Sequence, residues 1–237
     1  MWRHRRCSRC KHVSVAWVDL PIADEMEVIG VVLDQRLTFH KQVLALARSC
    51  NYHTQAIWCN QHLLTMELAQ TLACSLILSR IDYCNAVLHS APSNSIKRLQ
   101  RVQSNAARII LEAPRRSHAS PLLRTLHWLP IQQRIKYKVA LLTFKVRSTS
   151  MPSYLRRLIQ DQQHSHNLRS ATTMLFHDDD FCEAHLAAYW CSALAVWNSL
   201  LKTVLNSDSV TVFKLRLKTF LFSRAFSSLF SVAHCLA

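Results

Sequence analysis

Gly30 is the only glycine in this 237-residue chain, and that scarcity limits what it can become. Gly-rich phosphate loops and dinucleotide fingerprints need several glycines where the backbone approaches the ligand, so both are excluded. A hairpin-rich β architecture is disfavoured too, because its tight turns need residues at positive φ. Half of the residues are hydrophobic, which suffices for a real core at this length and is not the composition of a disordered chain. The expected fold class is mainly α, a helical bundle of about six to eight helices, with a short two-strand N-terminal segment. The strands are expected within 13–33, where VSVAWV and EVIGVVL are β-branched runs on either side of a turn.

Charge is concentrated in the middle of the chain. Fourteen of the 29 Lys and Arg residues lie between Lys97 and Arg157, with Glu112 the single acid among them. Two amphipathic helical patterns share this stretch. In the first, Ile96, Leu99, Val102, Ala106 and Ile109 recur at three- and four-residue steps, and Lys97, Arg101 and Arg108 project from another face. Pro114 is expected to end that helix. In the second, Ile131, Ile135, Val139, Leu142 and Val146 form the buried stripe after Pro130, and Arg134, Lys138 and Lys145 are exposed. A net charge of +15 favours anionic partners, either nucleic acid or an acidic membrane surface. Two solvated helix faces are the other reading of the same charges.

Further helices are expected over 38–60, with Phe39, Val43, Leu46, Ala47 and Cys50 inside, and over 65–88, capped by Thr65. The latter carries Leu68, Leu72, Ser75, Leu76, Ser79 and Tyr83. Residues 184–201 read as a buried core helix, too short and too polar for a membrane span. The last helix, 210–226, opens at Asp208 or Ser209, buries Phe213, Leu217 and Phe220, and exposes Lys214 and Lys218. His127 and Trp128, between the two central patterns, either stack on a base or plug the core; the core role is the commoner for such a pair.

Nine cysteines form no disulfide framework and suit a reducing compartment, so an intracellular site, cytoplasmic or nuclear, is expected. The basic start meets no apolar stretch of the kind that makes a secretory signal. Cys7 and Cys10, flanked by His4 and His12, lack the second ligand pair that tetrahedral zinc needs, and 1–12 reads as a basic disordered tail. Asp178, Asp179 and Asp180, near His177 and His185, sit in a polar linker over 161–183, without the rigid framework of a two-metal site. No metal, cofactor or small-molecule substrate is expected.

The wording of several stretches adds to these patterns. LILSRIDYCNAVL (76–88), RLQRVQSNAARII (98–110), LHWLPIQQRIKYK (126–138), PSYL (152–155), NLRS (167–170), AVWNSL (195–200) and VFKLRLKTFLFSRAF (212–226) closely resemble one family. They look like the region after the reverse transcriptase core in LINE-type non-LTR retrotransposon polyproteins, of the jockey and chicken-repeat kind. The resemblance starts near Glu27, in VIGVVLDQRLTF, and runs in order to Phe226.

It implies a strand pair leading into a thumb-like basic helical domain over 13–160, then the linker and a C-terminal helical subdomain over 184–226; a tail over 227–237 lies beyond it. The family's catalytic aspartates lie upstream of its thumb, so the expected part is a non-catalytic fragment of an RNA-directed DNA polymerase. Such a thumb is expected to hold RNA or an RNA–DNA hybrid without sequence specificity. The phosphate contacts expected are Lys97, Arg98, Arg101, Arg108, Arg115, Arg116, Arg134, Lys136 and Lys138. The alternative is a degraded element remnant, an orphan helical protein with no selected activity. Leu194 and Leu201 stand where the family's phrase has prolines. The resemblance also picks out Arg80 and Asp82, which are too close in sequence to face each other across one helix. Asp82 is therefore expected to orient Arg80 or an arginine elsewhere.

Overall fold

The periodic apolar stretches fold as helices, and local chemistry sets their ends. The computed structural model describes residues 12–15, 18–21, 25–34, 38–158, 160–161, 175–176 and 193–227. Helix α1 (His40–Cys59) buries Val43, Ala47, Cys50, Thr54 and Ile57 on one stripe. The Thr54 hydroxyl is satisfied there by donating to the Cys50 carbonyl at 2.8 Å. Helix α2 (Met66–Ala73) opens at Thr65, whose hydroxyl accepts from the Leu68 N–H. A π-helical turn, Cys74–Leu78, carries it into α3 (Ser79–Asp82). The helix stops there, well before the expected end at 88, because Tyr83 is extended and Cys84 takes a φ of 51°. Its buried face is also shifted from the expected one: Ala69, Ala73, Ile77, Leu78 and Ile81 are inside, while Leu68 and Tyr83 are exposed.

A 3-10 turn, Asn85–Ser90, leads into α4 (Ser93–Ile110), which buries Leu99, Val102, Gln103, Ala106, Ala107 and Ile110. Then come α5 (Ala119–Thr125), α6 (Ile131–Thr149), α7 (Ser153–Leu158) and α8 (193–198). The last two are α9 (Lys202–Leu205) and α10 (Val210–Phe226). Ser209 caps α10 by accepting from the Val212 N–H at 3.2 Å. In α10, Phe213 and Leu217 are buried, as their spacing predicts, whereas Phe220 is only partly covered.

Pro114 is not what stops α4. The helix has already closed in a Schellman turn, with Glu112 at a φ of 49°. The Glu112 N–H donates to the Ile109 carbonyl at 3.2 Å and the Ala113 N–H to the Arg108 carbonyl at 2.9 Å. Helix α5 ends the same way at His127, φ 54°, with the Trp128 N–H on the Leu123 carbonyl at 2.8 Å. Helix α6 ends on Ser150 at φ 56°. These are positions where glycine is favoured, and a chain with one glycine fills them with other residues.

The strand segment forms two hairpins. Strand β1 (His12–Val15) pairs with β2 (Val18–Pro21), and β3 (Glu25–Val28) with β4 (Val31–Asp34), both antiparallel. Val15 pairs with Val18, so VSVAWV spans parts of two strands. Within the expected linker, β5 (Gln160–Asp161) pairs with β6 (Leu175–Phe176). An isolated hairpin is marginal in water, and the β3–β4 hairpin is anchored to helices. The Val32 N–H donates to the Gln42 side chain at 2.9 Å, the Tyr83 hydroxyl donates to the Ile29 carbonyl at 2.7 Å, and Lys41 pairs with Glu25. Asp34 joins hairpin to helix by accepting from the Phe39 N–H at 3.1 Å and the Thr38 hydroxyl at 2.7 Å. Desolvation pushes its carboxyl pKa up, but these hydrogen bonds outweigh that and hold it below the ordinary value.

Two apolar clusters form the core. The first gathers α1, α2, α3, α4 and α5 around Trp128, Ile131, Ile135 and Phe226. The second joins Val139, Phe144 and Val146 of α6 to Trp197, Phe213, Leu217 and Leu221. Phe144 stacks on Phe213 with centroids 4.1 Å apart. The described part of the C-terminal subdomain therefore shares its core with α6. Leu201 adopts a φ of −69°, within the range a proline ring fixes. No helix among the described residues is long and apolar enough to cross a membrane.

Ile29 and Gly30 are the two central residues of the β3–β4 turn, at φ 49° and 71°. A two-residue turn with positive φ at both positions prefers Asn-Gly, and a β-branched residue fits it worst. Ile29 is 82% exposed and contributes little packing. Ile29→Asn is expected to stabilise the protein by about 1 kcal/mol, read as a higher urea midpoint at unchanged m value. A lower midpoint would mean that the turn is not this one.

Candidate nucleic-acid interface

Three of the phrases that carry the resemblance converge on the backbone at Leu129, Pro130 and Ile131. From α4, fully buried Gln103 donates its Nε2 to the Leu129 carbonyl at 2.9 Å. Its neighbour Gln100 accepts from the Ile131 N–H at 3.0 Å and donates to Gln103 at 3.1 Å. From α6, Arg134 reaches back with Nε to the same Leu129 carbonyl at 3.0 Å. Its Nη1 donates to the Asp82 carboxylate at 2.6 Å, tying α3 to the node. The partner of Asp82 is therefore an arginine elsewhere, and Arg80 is exposed. Trp128 takes the core role, at 3% exposure, while His127 lies outside against Phe222.

This node changes the standing of the expected phosphate contacts. The Arg134 side chain is 15% exposed, with two of its donor groups turned inward, which makes it a clamp in place of a ligand contact. Arg108 is half-buried and likewise engaged: Nε and Nη2 donate to the Ser117 carbonyl at 3.2 and 3.1 Å, and Nη1 to Asn105 at 3.1 Å. It braces the loop after α4.

The other seven divide by helix. Lys97, Arg98 and Arg101 are exposed on α4, and Arg115 and Arg116 are exposed in the loop beyond it. Lys97 and Arg101 stand one turn apart on the same face as Arg108, with Arg98 about 100° further round. On α6 the positions diverge. Lys136 faces a small recess of about 120 Å³ with His89. Burial and the Lys136 charge together hold the His89 pKa below its usual value. Lys138 lines a different cavity, of about 660 Å³, with Asp82, Arg134, Tyr137 and Lys218. The nine cations do not surround one groove. The five on α4 and its following loop are the coherent group.

One feature escaped the sequence reading. The C-terminal halves of α1 and α4 flank a groove of about 720 Å³, lined by Trp58, Asn51, Gln55, Gln61, Asn105 and Arg115 among others. Gln61 closes one end by donating to the Ile109 carbonyl at 3.0 Å, across 48 residues of sequence. Nothing in the periodicity of α1 marks Trp58, because its neighbours across the groove come from a distant helix.

Burial pushes the Cys50 thiol up to about 11, against the opposing pull of Arg80, so it is protonated at neutral pH. Among the described residues no group of three His, Cys, Asp or Glu side chains could hold a metal ion. Cys7, Cys10, His177, Asp178, Asp179, Asp180 and His185 lie outside the described residues.

Arg134→Ala is expected to destabilise the fold by about 2 kcal/mol in urea denaturation, because it leaves the Asp82 carboxylate without its charged partner. Arg134→Lys should recover less than half of that, since one ammonium cannot reach both acceptors. Arg80→Ala, at an exposed position, is expected to change stability by less than about 0.5 kcal/mol. Equal losses at Arg80 and Arg134 would refute the clamp.

No protein-family model matches the chain, nor does any curated protein or solved structure.

Proposed function

We propose that this chain is a non-catalytic nucleic-acid-binding module that grips RNA or an RNA–DNA hybrid through its phosphates, the role implied by its resemblance to the post-catalytic region of LINE-type reverse transcriptases. The observation that supports this reading is the disposition of Lys97, Arg98, Arg101, Arg115 and Arg116. All five are exposed on α4 or in the loop that follows, and none forms a side-chain hydrogen bond or ion pair within the described residues. Unpaired exposed cations add nothing to the stability of a chain that already carries +15; their net effect there is self-repulsion. Opposite phosphates, each releases a counterion, and the repulsion becomes attraction.

In this reading α6 does not touch the ligand. It holds α4 in place through the node at Leu129, so the contact surface is narrower than two tandem basic helices. Contacts to phosphate position a strand without reading its bases, so affinity without sequence preference is the corresponding behaviour.

Five neutralised phosphates correspond to a slope of log K against log salt of roughly −4 to −5. Replacing Lys97 and Arg101 together by Ala should make that slope shallower by about 2 at unchanged helicity, measured by fluorescence anisotropy across a salt series. Lys138→Ala on α6 should leave it unaltered. A slope near zero would overturn the phosphate grip, and absence of binding at low salt would favour the remnant without selected activity.

A further inference from the structure

We infer that the groove between α1 and α4 receives one unpaired nucleobase of a bound strand, stacked on Trp58 and held at its edge by carboxamide side chains. This rests on the phosphate grip proposed above and adds to it a preference for single-stranded segments.

Trp58 is 55% exposed although its neighbour Ile57 is buried. A lone exposed aromatic is ordinary on a protein surface and by itself says nothing. What sets this one apart is its company. Asn51, Gln55 and Trp58 follow one another at steps of four and three along α1 and form one wall of the groove. Gln61 and Asn105 face them from the end and from the opposite wall.

The carboxamides have capacity to spare. Asn51 makes no side-chain hydrogen bond within the described residues. Gln61 uses its Nε2 on the Ile109 carbonyl, which leaves its carbonyl oxygen as an acceptor. Asn105 accepts from Arg108 through its Oδ1, which leaves its amide nitrogen as a donor. The groove therefore presents both donors and acceptors beside a flat aromatic surface, the combination that a heterocyclic base with mixed edges requires.

Polarity separates the groove from the cationic row beside it. Arg108 is committed to Ser117 and Asn105, and Glu112 lines the groove together with Arg115. The neighbouring stretch of the same α4 face is different, with Lys97 and Arg101 free and no acid beside them. From Arg101 to Asn105 is about 6 Å along the helix axis, so adjacent parts of one nucleotide can meet the cationic row and the carboxamide groove together. The volume of about 720 Å³ is ample for a base and its sugar. A base stacked inside a duplex cannot enter such a groove, whereas one in a single-stranded overhang can.

The test compares a blunt RNA–DNA hybrid with the same hybrid carrying a short single-stranded overhang, by fluorescence anisotropy on the wild-type chain, Trp58→Ala and Trp58→Phe. The overhang is expected to raise wild-type affinity about tenfold. Trp58→Ala should erase that gain while leaving blunt-hybrid affinity and its salt slope unchanged, and Trp58→Phe should keep most of it. The exposed position keeps the variants folded, which a thermal melt by circular dichroism verifies. A gain that survives in Trp58→Ala, or no gain in the wild type, overturns the base groove and leaves the phosphate grip standing. Failure of the wild type to bind either hybrid overturns both.

Discussion

The carbonyl of Leu129 is the point on which the arrangement of the helices depends. It directly precedes Pro130, which has no N–H, at the entry to a helix whose first N–H groups lack intrahelical partners; Gln100 accepts from one of them, that of Ile131. Gln103 and Arg134 both donate to it, from α4 and from the first turns of α6. A buried carboxamide without partners would be costly, and Gln103 at zero exposure is tolerated because Gln100 and Leu129 satisfy it. A fully satisfied polar node of this kind selects one register between two helices, which apolar packing alone leaves looser. Through Asp82 the same node ties the end of α3 to α6. Through α6 it reaches the second cluster, where Phe144 meets Phe213.

Net charge therefore overstates the number of exposed, uncommitted cations. Arg108 and Arg134 act as multi-dentate braces, a use for which the planar guanidinium is suited and the lysine ammonium is not. Lys136 and Lys138, on the helix that carries Arg134, face two different recesses. What remains is the outer side of α4 and the loop held by Arg108. The division follows from the node: α4 is gripped from its inner side, and its other side is left to solvent and to any partner.

Much of the fold was legible beforehand. Periodicity predicted α1, α4, α6 and α10, and the hydroxyls of Thr65 and Ser209 marked helix starts. Trp128 was legible as a core residue, and the strand-forming stretch was recognisable from its β-branched runs, though not its division into two hairpins. Helix ends were read less well. Glu112, His127 and Cys84 carry no propensity for positive φ that would announce a stop, so the stop at 110 was assigned to Pro114 and the break at 83 was missed. The π-helical turn at Cys74–Leu78 also escaped, because it alters hydrogen bonding without altering composition.

The amino-acid sequence alone determined that this is a helical, strongly basic protein whose cationic residues crowd into its middle third, because helical periodicity, glycine content and charge are properties of the chain read locally. Only the tertiary structure decided which of those cations face outward, that Asp82 belongs to Arg134, and that Trp58 shares a groove with Asn105. These are relations between side chains about fifty residues apart, 52 in the case of Asp82 and Arg134. They depend on the crossing of helices, which packing and buried hydrogen bonds select and which no local pattern encodes.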